Sequence, residues 1–169
     1  MWSRSARPVG ARAPTGRSPP LTSFSRRDPR IRWHWIGRGP EPGWEYAYGA
    51  DLPVTFHPPH ADPWSVVDAP AALVVTSRED PLPLVALEAG ARDVPVIACS
   101  GSGGLDHLLA DGRGRLVDPT DPSDLAAVVH DVAMLGATDH DRALRTYVAT
   151  HHHADVVGPR WLAALTGTP

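Results

Sequence analysis

Apolar residues fall into short runs and helical periods that alternate along most of the chain. The segment Ile31-Arg32-Trp33-His34-Trp35-Ile36 alternates as a strand does, and the run Ala72-Leu73-Val74-Val75 reads as a buried strand. The whole pattern predicts strands at residues 31–36, 54–56, 72–76, 95–99 and 114–117, and helices at residues 63–68, 84–91, 105–109 and 122–135. Because strands and helices alternate, we expect an α/β fold with a single Rossmann-like, doubly wound parallel sheet.

Residues 76–88 contain the most informative chemistry in this pattern. Two carboxylates, Asp80 and Glu88, flank a helix that Pro83 suits in its first turn. The N–H groups of Leu84 and Val85 would then be available to a ligand, because the first N–H groups of a helix lack an internal partner. A helix N-terminus beside the carboxyl end of a strand is typical of an anion-binding site.

Ligands of parallel sheets bind at the carboxyl ends of the strands. This rule selects the loops at residues 37–40, 56–60, 77–83 and 100–104. Their candidate residues have structural alternatives: Gly37 as a plain turn, His57 as an ordinary loop histidine, and Arg78 as the surface partner of Glu79. Gly103 and Gly104 either let the backbone approach a ligand or form a tight strand-to-helix turn, and Asp80 could cap the helix.

Composition limits the classes of protein to consider. The 169 residues suit one globular domain, at residues 28–169, after an Arg- and Pro-rich segment at residues 1–27 that we expect to be disordered. All 16 basic residues are arginines, and nine of them precede residue 41. Residues 1–20 lack the interleaved aromatic residues that nucleic-acid binding would favour. No apolar run reaches the roughly 18 residues of a membrane span. The single Cys99 excludes an internal disulfide and favours a cytoplasmic location.

The motif around the two carboxylates resembles a known family. The chain resembles the group 1 (family 4) glycosyltransferases in three segments. These are Ser77-Arg78-Glu79-Asp80-Pro81-Leu82-Pro83-Leu84-Val85-Ala86-Leu87-Glu88-Ala89, then Pro95-Val96-Ile97-Ala98, and then Gly103-Gly104. Those enzymes have the GT-B architecture, in which two Rossmann-like domains face each other across a cleft. The similarity is to their C-terminal, donor-binding half. The family signature is an acidic residue, seven others and Glu, which Asp80 and Glu88 match with Asp in place of the more usual Glu.

The resemblance implies a glycosyltransferase that uses a nucleotide-diphosphate sugar, retains the anomeric configuration and needs no obligatory metal or other cofactor. In this interpretation Asp80 contacts the transferred sugar and is the catalytic candidate, and Glu88 binds the ribose hydroxyls. The backbone of Pro83, Leu84 and Val85 would hold the diphosphate. The remaining donor-site candidates are Arg78, Gly37, His57, Gly103 and Gly104.

The chain also departs from the family pattern. His107 stands where the family usually has Glu, and the chain has no lysine, so the Arg- and Lys-bearing loop that holds the donor diphosphate is not identifiable. The acceptor domain is not identifiable either. We therefore expect a truncated enzyme with little or no activity alone, and its acceptor stays unknown. The alternative is a non-catalytic, nucleotide-binding Rossmann-like module that acts with a partner chain.

A metal site is not expected at the three adjacent histidines, residues 151–153. Three successive side chains on a helix cannot face one ion, because helical ligands are spaced three or four residues apart. We expect a solvated helix end there.

Overall fold

A computed structural model describes residues 31–37, 54–77, 80–136 and 138–167. Its strands are β1 (Trp33–Ile36), β2 (Val54–His57), β3 (Leu73–Val75), β4 (Val96–Cys99) and β5 (Arg115–Val117). Its α-helices are α1 (Leu84–Gly90), α2 (Gly104–Leu108), α3 (Pro122–Leu135), α4 (Asp139–His151) and α5 (Ala154–Thr166). Short 3-10 turns cover Pro63–Ser65 and Ala110–Gly112. The predicted disordered segment lies outside the described residues.

The strands are parallel throughout, as predicted, but they form two ladders instead of one sheet. In the described residues, β1 pairs with β2, and a second ladder has the order β3-β4-β5. Trp33 of β1 is buried in the same cluster as Val74 and Ile97 of the three-stranded sheet. Side-chain packing therefore connects the two ladders where the sequence pattern predicts a continuous sheet.

Both faces of the three-stranded sheet are covered, since successive side chains of a strand point to opposite sides. Leu73 and Val75 of β3 belong to a cluster with residues of α1, α2 and α4, whereas Val74 belongs to a cluster with residues of α3. In β4, Val96 and Ala98 join the first cluster, and Ile97 and Cys99 join the second. The α/β class with helices on both faces of a parallel sheet is thus confirmed.

The prediction of a helix at residues 63–68 is wrong. The structure has only a 3-10 turn at Pro63–Ser65, in which Asp62 caps the turn by accepting a hydrogen bond from the N–H of Trp64. Val66 and Val67 follow, and β-branched residues have low helix propensity. The indole of Trp64 donates a hydrogen bond to Glu88 of α1, and the segment forms a turn between β2 and β3.

Two C-terminal helices complete the described part of the chain. Leu144 of α4 is fully buried against α1, where Gly90 leaves room for it: a Cβ on Gly90 would lie 2.8 Å from Leu144 Cγ. The helix α5 has no buried residue. No helix among the described residues is long and apolar enough to cross a membrane.

Replacing Leu144 tests the docking of α4. We expect Leu144→Ala to lower the free energy of unfolding by about 2–5 kcal/mol, because it removes a fully buried side chain and leaves a cavity between α1 and α4. Urea denaturation measures the change. Leu165→Ala on α5, where the side chain is 78% exposed, is the control and should change stability by less than about 0.5 kcal/mol. Equal effects of the two substitutions would contradict this packing.

Candidate functional site

The loops that follow β3 and β4 meet at the carboxyl edge of the three-stranded sheet. The N–H of Asp80 donates to the carbonyl of Ser102 at 2.8 Å, and Asp80 forms an isolated parallel bridge with Gly103. This pairing continues the β3-β4 ladder beyond the ends of the strands. It fixes the backbone of Asp80. Asp80 is half-buried and lies at the edge of the sheet where ligands of such folds bind.

Gly103 and Gly104 make this approach of the two loops possible. A Cβ on Gly103 would lie 2.7 Å from the carbonyl oxygen of Asp80, and one on Gly104 would lie 1.8 Å from that of Pro81. Gly103 also has a φ of +117°, which side chains disfavour. The double glycine therefore admits the backbone of Asp80 and Pro81, and the tight turn and the close approach are two aspects of one arrangement.

Asp106, on α2, organises the glycine loop and was missed in the sequence. Its carboxylate accepts hydrogen bonds from the N–H groups of Gly101 at 2.9 Å and Gly103 at 3.2 Å. The bond from Gly101 is the main cause, with Gly103 contributing, that holds the pKa of Asp106 below its ordinary value. An acidic residue at the third position of a helix after a glycine turn is the available signal. These two N–H groups are thus already hydrogen-bonded within the chain.

The helix α1 begins at Leu84, as predicted, and only the place of Pro83 differs. Pro83 is its N-cap, with φ −68° and ψ 121°, instead of a residue of the first turn. The N–H of Ala86 donates to the carbonyl of Pro83 at 3.0 Å, whereas those of Leu84 and Val85 have no hydrogen-bond partner in the described part of the chain. No side chain caps α1, so Asp80 is not its N-cap.

Glu88 lies in the second turn of α1 and is half-buried. Its Oε2 accepts a hydrogen bond from the indole Nε1–H of Trp64 at 2.8 Å. The guanidinium of Arg92 lies 5.2 Å from the centre of the Trp64 ring and donates to the backbone carbonyl of Glu88 at 3.2 Å. Glu88 is therefore held in place and is not simply a solvated helix residue. No pattern in the sequence points to Trp64 as the partner of Glu88.

The other predicted residues belong to different surroundings. Gly37 ends β1, where its N–H donates to the carbonyl of His57 at 3.1 Å. His57 Nε2 lies 2.9 Å from Nδ1 of His34, and the two rings stack. Arg78 lies outside the described residues. The structure thus brings the backbone of Asp80 and Pro81 against Gly103 and Gly104, and it pairs His57 with His34.

The histidines near α2 and α4 have structural partners. His107 Nε2 lies 3.1 Å from the hydroxyl of Tyr147, at the position where the family usually has Glu. Of the three adjacent histidines, His151 ends α4, His152 is its C-cap and His153 is the N-cap of α5. Among the described residues, no three His, Cys, Asp or Glu side chains are placed to hold a metal ion.

The sequence profile described as Glycosyl transferases group 1 matches residues 20–134. The chain belongs to this family. This group 1 glycosyltransferase chain is 39% identical over 101 residues to the D-inositol 3-phosphate glycosyltransferase of Streptomyces avermitilis. The alignment covers 59% of the chain but only 20% of that relative.

Solved structures show the same fold. The Anabaena protein HepE, solved with UDP and glucose, superposes with a TM-score of 0.74 at 18% identity over 87% of this chain and 43% of its own. Sucrose-phosphate synthase of Thermosynechococcus elongatus superposes with a TM-score of 0.70 at 22% identity, over 90% and 43% of the two chains. The chain thus spans less than half the length of these proteins. The likeness confirms the Rossmann-like fold expected for the C-terminal half of a GT-B glycosyltransferase.

Replacing Gly104 tests the contact between the two loops of this glycosyltransferase chain. We expect Gly104→Ala to lower the free energy of unfolding by about 1–3 kcal/mol, because its Cβ would overlap the carbonyl of Pro81, a backbone atom that cannot rotate away. Chemical denaturation measures the change. Gly158→Ala is the control, since its Cβ would meet open space in α5 and should cost nothing. Unchanged stability of Gly104→Ala would show that the loops separate readily.

The His34–His57 pair predicts a pH dependence of stability. Burial, and then the charge of His57, lower the pKa of His34 from its ordinary value of 6.5. As the pH falls, His34 therefore takes up a proton in the unfolded chain before it does so in the folded chain. His34 contributes to the free energy of unfolding above pH 6.5, and this contribution is lost as the pH falls through the lowered pKa of the folded state. Thermal unfolding over this range measures the loss.

His34→Gln should make this pH dependence weaker. Burial, and then the charge of His151, also lower the pKa of His152, so the difference between the variant and the unaltered chain isolates His34. His130→Gln, at a more exposed histidine on α3, serves as the control. An equal pH slope in His34→Gln and the unaltered chain would contradict the assignment.

Proposed function

We propose that this chain is the donor-binding half of a glycosyltransferase that transfers a sugar from a nucleotide-diphosphate sugar with retention. The arrangement of two carboxylates around a helix start carries the proposal. The backbone of Asp80 pairs with Gly103 in the loop after β4, and the side chain of Glu88 is hydrogen-bonded to Trp64. The start of α1 lies between them in the chain. Family membership supports it. So do the similar structures of HepE, which were solved with UDP, with UDP and glucose, and with UDP-glucose.

Glu88 is assigned to the ribose of the donor. A carboxylate offers about four lone-pair sites, so it can accept from Trp64 and still bind two vicinal hydroxyl groups. Its position in the second turn of α1 places it one helical turn from Leu84 and Val85. That spacing suits a ribose joined to a diphosphate at the helix start.

Asp80 is assigned to the transferred sugar. Its backbone is paired with Ser102 and Gly103, so the position of its side chain is set by the β3-β4 edge instead of by a mobile loop. A carboxylate in that position can accept hydrogen bonds from sugar hydroxyls and favour the positive charge of an oxocarbenium-like transition state. This gives Asp80 the role of the catalytic residue.

The diphosphate is assigned to the N–H groups of Leu84 and Val85 at the start of α1. These groups stabilise the negative charge of the leaving diphosphate without a metal or another cofactor. Gly103 and Gly104 contribute by shaping the loop, because Asp106 already takes the N–H of Gly103. Arg78 stays a candidate from the motif alone, and Gly37 and His57 stay candidates from their place at the carboxyl end of the β1-β2 ladder.

The reaction needs a second half-site for the acceptor, whose identity the proposal leaves open. A nucleotide sugar is the proposed small-molecule partner, nucleic acid is not, and the proposed location is the cytoplasm. The chain spans less than half of the similar structures, so the titration below addresses the donor side of the reaction alone.

A binding titration tests the donor site. We expect the chain to bind one of UDP-glucose, GDP-glucose and ADP-glucose by isothermal titration calorimetry. Glu88→Gln should weaken this binding about tenfold or more, because hydrogen bonds to a charged carboxylate are stronger than those to a neutral amide. Asp131→Asn, at an exposed acid of α3, is the matched control and should bind as the unaltered chain does.

The outcomes separate the proposed function from its alternative. A preference for the nucleotide sugar over the free nucleoside diphosphate, reduced in Asp80→Asn, supports a donor site. Equal affinity for the two ligands favours a non-catalytic nucleotide-binding module that acts with a partner chain. Unchanged binding in Glu88→Gln would contradict the ribose assignment.

A further inference from the structure

Trp64 reaches Glu88 from a separate part of the chain. It lies in the turn between β2 and β3, 24 residues before Glu88, and its Nε1–H donates to Oε2 at 2.8 Å. The indole nitrogen is a donor only, so it can bind the carboxylate and cannot compete with it for hydroxyl protons. The indole carries no charge, so this hydrogen bond adds none to the site.

The fold holds Trp64 from three sides. Asp62 accepts a hydrogen bond from its backbone N–H at 3.2 Å, and the preceding Pro63 is buried. The indole packs against the cluster of buried residues that covers one face of the three-stranded sheet. The guanidinium of Arg92 lies over the ring at 5.2 Å, within the range of a cation–π contact. A ring fixed in this way has one direction in which to present its N–H.

Arg92 does not take the place of Trp64 in this arrangement. An arginine that bound the Glu88 side chain through both of its terminal nitrogens would occupy both carboxylate oxygens. Here its NH1 donates to the backbone carbonyl of Glu88, and its guanidinium faces the indole. The guanidinium thus supports the ring, and the ring supports the carboxylate.

We propose that Trp64 is a positioning residue for Glu88, which sets the orientation of the carboxylate for two vicinal hydroxyl groups and so gives the site its preference for ribonucleotides. This inference rests on the proposed donor site. It assigns a role to a residue outside the motif, and it predicts an effect confined to the ribose.

The test uses Trp64→Phe, which keeps a ring for Arg92 and the core but removes the N–H. The probes are UDP and its 2′,3′-dideoxy analogue, titrated by calorimetry into the whole chain. The unaltered chain should prefer UDP. In Trp64→Phe the affinity for UDP should fall roughly threefold to tenfold, the value expected for one hydrogen bond, while the affinity for the dideoxy analogue stays the same.

Trp161→Phe is the matched control, because Trp161 is 63% exposed on α5. It should leave both affinities unchanged. Equal weakening of UDP and the analogue in Trp64→Phe would show a merely structural role and overturn the inference, as would an unchanged preference for UDP. No binding of UDP by the unaltered chain would overturn the uridine donor site together with this inference.

A second measurement does not depend on the folding of Trp64→Phe. In nuclear magnetic resonance spectra of the unaltered chain, the indole N–H of Trp64 should exchange slowly with solvent and shift when UDP binds. In Glu88→Ala this N–H should exchange as fast as that of Trp161. Slow exchange that persists without the carboxylate would overturn the inference.

Discussion

The close approach of two backbone loops is the constraint on which the candidate site depends. Asp80 and Pro81 after β3 lie against Gly103 and Gly104 after β4, at distances that leave no room for a Cβ. The hydrogen bond from Asp80 to Ser102 fixes the register of the approach. Because α1 starts three residues after Pro81, the position of its first N–H groups follows from the same contact. The edge of the sheet and the start of the helix are therefore set together.

The local parts of this arrangement could be predicted from the sequence, and the tertiary parts could not. The strand of residues 72–76, the helix near Leu84 and the glycine turn follow from periodicity and turn chemistry. The roles of Trp64 and Asp106 could not be predicted, because their hydrogen-bond partners become neighbours only in the folded chain. The indole N–H of Trp64 donates to Glu88, and the carboxylate of Asp106 accepts from the N–H of Gly101. The absence of a helix after Pro63 has a local cause, since the β-branched Val66 and Val67 disfavour its continuation. The family resemblance supplied the roles proposed for Asp80 and Glu88, which periodicity alone does not indicate.

The charges around the site explain how donors and acceptors are divided. The carboxylate of Asp106 accepts hydrogen bonds from the N–H groups of Gly101 and Gly103. Those two N–H groups of the glycine loop are therefore already used within the chain. The N–H groups of Leu84 and Val85 have no hydrogen-bond partner in the described part of the chain, and they are the groups proposed to bind an anion. In the chain they lie between two carboxylates, which can accept hydrogen bonds from hydroxyl groups. An anionic centre flanked by hydroxyl-bearing rings is the arrangement of a nucleotide-diphosphate sugar. The division of roles thus matches the chemistry of the proposed donor.

The contact of Trp64 with Glu88 also couples the site to the folding of the chain. It joins residues 24 apart, across β3 and the loop that leads to α1, so it forms only after that loop has closed. A partly folded chain could contain the helix with its glutamate and still lack the oriented carboxylate. Competence to recognise a ribose would then appear in the same cooperative step that completes the core. The hydrogen bond between the Trp64 indole and Glu88 therefore forms only when the domain is folded, so the proposed ribose site is complete only in the folded chain.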